Sequence, residues 1–142
     1  DSQYSFTQSD NHWCYQEQLK NYNRIAILGG GHCSLALSRV MKNLGYDVFV
    51  FETHGNISTL GENNFADTTN ILDDFKDAAS QLSLPENTHV VVMTTDVPND
   101  VRGLLGLLDF PFPFIGAMGS VNKISEINGL CPFCKKDIVV IV

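Results

Sequence analysis

The stretch "RIAILGGGHCSLALSRVM", residues 24–41, decides the fold. Residues 25–28 (Ile-Ala-Ile-Leu) are a short apolar run without alternation, the pattern of a strand buried on both faces. Three glycines follow. Leu37, Val40, Met41 and Leu44 then recur at i, i+3, i+4 and i+7, which predicts one apolar face of a helix. Gly45 stands where a helix commonly ends in a left-handed residue. Strand, glycine loop and helix in this order are how many proteins hold a phosphate, because backbone N–H groups and the helix dipole converge on one point.

The pattern repeats outward from there. "DVFVF" (47–51) predicts a second strand, and "GNISTLGENNFA" (55–66) reads as a polar loop. A third strand is expected around 69–72. Phe75, Ala78, Ala79 and Leu82 predict a second helix, and Val101, Leu104, Leu105 and Leu108 a third. Between them "THVVVM" (88–93) is an apolar strand after the Pro85-Glu86-Asn87 turn. "PFPFIGAMG" (111–119) reads as a strand entering another glycine turn, with Ser120 capping a helix that carries Ile124 and Ile127. The order βαβ-β-αβ-αβ-α predicts an α/β, Rossmann-like domain: a parallel sheet with helices on both faces. Residues 1–23 read as an N-terminal extension or linker, and 24–142 as the domain.

Composition fits this reading and narrows the partners. A chain of 142 residues with 44% hydrophobic and 18% charged residues suits one domain with a real core. A net charge of −7 argues against nucleic acid or an anionic membrane as the main partner. The apolar run "IVVIV" at 138–142 is far too short to span a bilayer, and no signal peptide is visible. Cys14, Cys33, Cys131 and Cys134 are read as reduced thiols, which with the rest predicts a cytoplasmic protein. "CPFC" (131–134) lies too late in the chain for a glutaredoxin-type redox site and lacks the second half of a zinc site. No metal site and no catalytic constellation is legible in the spacing.

In such a sheet, ligands sit beyond the carboxyl ends of the strands, where strand order reverses. That rule selects Gly29, Gly30, Gly31 and His32 after the first strand, and Glu52 at the end of the second. Thr94, Thr95 and Asp96 follow the next strand, and Gly116, Gly119, Ser120 and Lys123 the one after. Gly29 and Gly31 allow close backbone approach to a phosphate. Glu52 is spaced to accept ribose hydroxyls, as in dinucleotide-binding proteins, although Ser34 replaces the third glycine of that fingerprint. His32 is either a neutral imidazole at the ligand edge or a solvent-facing first-turn residue. Asp96 and Asp100, flanking Pro98, read as helix caps. Gly119, Ser120 and Lys123 suit an anionic group.

Three blocks together, "RIAILGGGHCSLALSRVMKNLGYDVFVFE", "HVVVMTTDVPND" and "PFIGAMGSVNK", resemble the C-terminal Rossmann domain of the xanthine dehydrogenase accessory (XdhC/CoxI) family. Thr95 and His54 depart from it, standing where many members carry histidine and arginine. The resemblance implies a non-catalytic protein that binds molybdenum cofactor and delivers it to a xanthine dehydrogenase-like molybdenum hydroxylase. Gly29 to His32, Glu52, Thr94 and Gly116 to Lys123 would then line the cofactor pocket. A homodimer is compatible with this reading. The competing expectation, from another class, is an NAD(P)-binding oxidoreductase or nucleotide-sensing module on the same fold.

Overall fold

The computed structural model describes residues 4–17, 23–130 and 138–141. Eight strands and four α-helices are present among them: β1 (Tyr4–Ser9), β2 (His12–Glu17), β3 (Arg24–Leu28), α1 (His32–Asn43), β4 (Asp47–Glu52), α2 (Ser58–Glu62), β5 (Thr68–Ile71), β6 (Thr88–Val92), α3 (Val97–Leu107), β7 (Phe114–Met118), α4 (Val121–Leu130) and β8 (Ile138–Ile141). β3 to β8 form one sheet in the order β5-β4-β3-β6-β7-β8, with every neighbouring pair parallel. Read within the sheet this is the order 3-2-1-4-5-6, the doubly wound Rossmann arrangement. The polar stretch at the N-terminus pairs as an antiparallel hairpin, β1 with β2. The "CPFC" pair at 131–134 lies outside the described residues.

The strands fall where their apolar runs place them, and alternate residues feed two cores. Ala26, Leu28, Val90, Val92, Ile115 and Ala117 meet α3 and α4 on one face. Ile25, Ile27, Val48, Val50 and Val91 meet Leu37 and Met41 of α1 and Leu60 of α2 on the other. Gly45 ends α1 at φ +83°, as the sequence predicts.

The helix faces differ from the expected stripes. In α1 the buried positions are Ser34 and Ser38, while Val40 and Leu44 are exposed. In α3 the buried face is Asp100, Gly103, Leu104 and Leu107, and Leu105 and Leu108 turn outward. The same cause acts in both. Small residues bring helix axis and sheet together, and hydrophobicity does not register them. Ile124 and Ile127 of α4 are buried as expected.

The segment at 75–82 is not an α-helix but two 3₁₀ turns, Phe75–Asp77 and Ala79–Gln81. Phe75, Ala78, Ala79 and Leu82 are nevertheless buried as the pattern requires. Asp74 starts the first turn by accepting from the Lys76 N–H, and its carboxylate is gripped by Arg102 of α3. That grip holds Asp74 low, at a pKa of about 2. Two further elements are absent from the sequence reading: α2 lies within the segment read as a loop, and β8 pairs with β7 at the sheet edge.

Candidate functional site at the strand-order reversal

The order reverses between β3 and β6, so the two loops that open there face each other. Gly29 adopts φ +112°, and its N–H donates to the Phe51 carbonyl at 2.8 Å. A Cβ at Gly29 would lie 2.5 Å from the Met93 carbonyl oxygen and 3.1 Å from the Thr94 Cα. The glycine is therefore required on two counts, by conformation and by the approach of the β6 loop.

Gly30 is fixed from both sides. Its N–H donates to Glu52 Oε2 at 2.8 Å, and its carbonyl accepts from the Thr59 hydroxyl of α2. Glu52 is 5% exposed. Its other oxygen accepts the Thr53 N–H at 2.7 Å, and His54 Nδ1 lies 3.9 Å away. Leu60 packs over Gly30, and Asn63 of the same segment donates to Ser38 of α1 at 2.9 Å. The carboxylate expected to meet a ribose thus serves the loop itself, a fit that leaves a dinucleotide little of Glu52 to bind.

Gly31 is the N-cap of α1, in extended conformation with no side-chain cap and open space where a Cβ would lie. The first-turn N–H groups beyond it have no intrahelical acceptor, which makes this end an anion-binding position. A group carrying a phosphate fits such donors. His32 and Cys33 are exposed in that turn. Ser34, at the place of the third glycine, is 1% exposed, and its hydroxyl has no hydrogen-bond partner among the described residues. Serine is small enough for the helix to dock there.

The opposite wall is built around Asp100, which is fully buried. Its Oδ1 accepts from the Thr94 N–H at 2.9 Å and from the Thr94 hydroxyl at 2.6 Å. Its Oδ2 lies 2.6 Å from Lys123 Nζ, which also donates to the Thr94 carbonyl at 2.6 Å. Gly119 makes room for this lysine: a Cβ there would sit 2.7 Å from Lys123 Cδ. Asp96 caps α3 by accepting from the Asn99 N–H, and Ser120 accepts weakly from the Lys123 N–H.

The fold therefore brings Gly29, Gly30, Gly31, His32, Glu52, Thr94, Asp96, Gly119 and Lys123 to one edge. Thr95 and Ser120 are exposed at its rim. Gly116 is elsewhere, inside β7, where it accommodates the Phe114 ring and Ile141. Sequence reasoning took Asp100 for a capping residue and passed over Thr59 and Leu60. The four-residue step from Asp96 to Asp100, one turn along the same helix, was the available signal. Among the described residues no group of three or more His, Cys, Asp or Glu side chains could hold a metal ion, and no helix is long and apolar enough to cross a membrane.

Comparison with known proteins follows the same stretch. The model of a family described as the XdhC Rossmann domain matches residues 25–130. A crystal structure reported as a xanthine dehydrogenase from Bacillus halodurans superposes with a TM-score of 0.65 at 20% identity. The superposition covers 86% of this chain but 38% of that one, so this chain spans well under half of its length. No curated protein matches.

Proposed function

Because the chain belongs to the XdhC Rossmann-domain family, we propose that it is an accessory protein that carries molybdenum cofactor to a xanthine dehydrogenase-like molybdenum hydroxylase. The observation that carries this reading is the uncapped N-terminus of α1 at the strand-order reversal, within the family-matched stretch. The cofactor is cargo here, and its chemistry belongs to the enzyme that receives it. The residues of this chain bind and orient. First-turn N–H groups of α1 take the phosphate, while Thr94 and Lys123 form the facing wall. The competing cargo, NAD(P), has the strand order in its favour and the engagement of Glu52 against it.

Gly31→Asp tests the reading. The backbone there, at φ −74°, accepts any residue, and nothing lies within 4 Å of the new Cβ. Aspartate is a better N-cap than glycine, so the variant gains about 0.5 kcal/mol of stability while placing its own carboxylate on the donors the phosphate needs. The wild-type chain is expected to retain molybdenum cofactor through anaerobic gel filtration and to activate apo-hydroxylase. Gly31→Asp is expected to fold and do neither. Equal retention by the two proteins defeats the proposal. Micromolar NADH binding by the wild-type chain would transfer the site to the dinucleotide reading.

A further inference from the structure

A buried ion pair is an expensive way to join two elements, since apolar residues of the same volume often do it as well. Asp100 and Lys123 form such a pair where the β6 loop meets the start of α4. Asp100 is fully buried and the Lys123 side chain is 17% exposed, so the pair reaches solvent only along the lysine side chain. Lysine has three N–H donors. One goes to the Thr94 carbonyl, and the ammonium as a whole is paired with Asp100 Oδ2 at 2.6 Å, which leaves donor capacity for a ligand. Thr94 is itself doubly held by Asp100 and lies against Gly29, the first glycine of the opposite loop.

We propose that Asp100 is a positioning residue: it clamps Thr94 and Lys123 so that one ammonium N–H is fixed at the strand-order reversal to receive a phosphate oxygen of the ligand. This rests on reading that edge as the ligand site. The pair is neutral, so Lys123 contributes by placement and not by net attraction. Gly119 belongs to the device, because any larger residue there displaces the lysine stem. The bonds from Thr94 fix the β6 loop, and the bond from Lys123 fixes the α4 end. One carboxylate thus sets the spacing of both.

Placement and attraction predict opposite signs for Asp100→Asn. Removing a negative charge beside the site strengthens anion binding if charge alone matters. Losing the clamp frees the ammonium and weakens it, by about tenfold for one charge-assisted hydrogen bond. The probe is inorganic pyrophosphate, titrated into the 142-residue chain and followed by nitrogen-15 NMR of backbone amides and lysine ammonium groups. In the wild type, the Lys123 ammonium signal is expected to be slow to exchange and to shift with pyrophosphate. In Asp100→Asn it is expected to vanish while the amide spectrum stays folded and the affinity falls. Lys123→Arg covers the case in which Asp100→Asn does not fold: it keeps the charge, loses the geometry, and is expected to bind as weakly as Lys123→Ala. Unchanged or tighter binding in Asp100→Asn or Lys123→Arg overturns the proposal, as does a wild-type Lys123 signal that ignores pyrophosphate. If pyrophosphate behaves as expected while molybdenum cofactor is not retained, the clamp stands and the cofactor assignment falls.

Discussion

Gly106 and Gly129 invite the same substitution and should answer with opposite signs. Replacing glycine by alanine inside a helix ordinarily stabilises by about 1 kcal/mol. Gly129, near the end of α4, has nothing within 4 Å of its would-be Cβ, so Gly129→Ala should gain about 0.5 kcal/mol, less than the full value because the last turn frays. Gly106 sits in α3 where the first 3₁₀ turn crosses it. Its Cβ would lie 2.2 Å from the Lys76 carbonyl oxygen and 2.7 Å from the Lys76 Cα. Those are backbone atoms, and Arg102 anchors the same turn through Asp74. Relief requires moving the turn by about 1 Å, and overpacking of that kind costs about 1–3 kcal/mol. Against backbone the upper end applies, so after the helix gain Gly106→Ala should lose about 2 kcal/mol. With a urea slope of about 2 kcal/mol/M, its midpoint falls by about 1 M while that of Gly129→Ala rises slightly. Equal or greater stability of Gly106→Ala would refute the close crossing of α3 and the 3₁₀ turn.

Three further outcomes are expected. Asp74 titrates near 2 in the folded chain, below its ordinary 3.8, so the Arg102 contact stabilises above that ordinary value and is lost as pH falls toward 2. Arg102→Gln should accordingly unfold more readily than the wild type near neutrality and equally readily near pH 2, read by urea unfolding at each pH. Glu52→Ala strips the Gly30 N–H of its acceptor and should cost about 1–3 kcal/mol, with faster amide exchange at Gly30. Gly119→Ala crowds the Lys123 stem and loosens its pairing with buried Asp100, so thermal melting should fall along with pyrophosphate affinity.

What the sequence made legible was whatever hydrophobicity and glycine announce. The runs at 25–28, 47–51 and 88–93 became strands of the parallel sheet, and the loop at Gly29 fell at the strand-order reversal. Apolar spacing misjudged the faces of α1 and α3 because Ser34, Ser38 and Gly103 carry the close contacts without being apolar. At 75–82 the same spacing identified buried residues but not their geometry, since Asp74 starts a tighter turn than the period assumes. At the candidate site, strand-end position alone brings Gly29, Glu52 and Lys123 to one edge, whereas the Glu52 carboxylate's hold on the Gly30 N–H joins residues 22 apart, which no local pattern encodes.

The position of β3 at the middle of the sheet has a kinetic side. Its partner β4 follows at once, with Arg24 opposite Asp47, but its other neighbour is β6, where Arg24 faces Thr88. On the ribosome, strands β3, β4 and β5 with α1 and α2 emerge as one contiguous piece, and β6 follows only after the 3₁₀ turns. At about 5–20 residues per second, the free edge of β3 waits on the order of a second or more for it. Ala26 and Leu28 stay uncovered meanwhile, and parallel pairings across so long a loop form slowly. In a cell the nascent chain therefore passes through a window in which its half-built sheet is open to chaperones, and to other unfinished copies of itself.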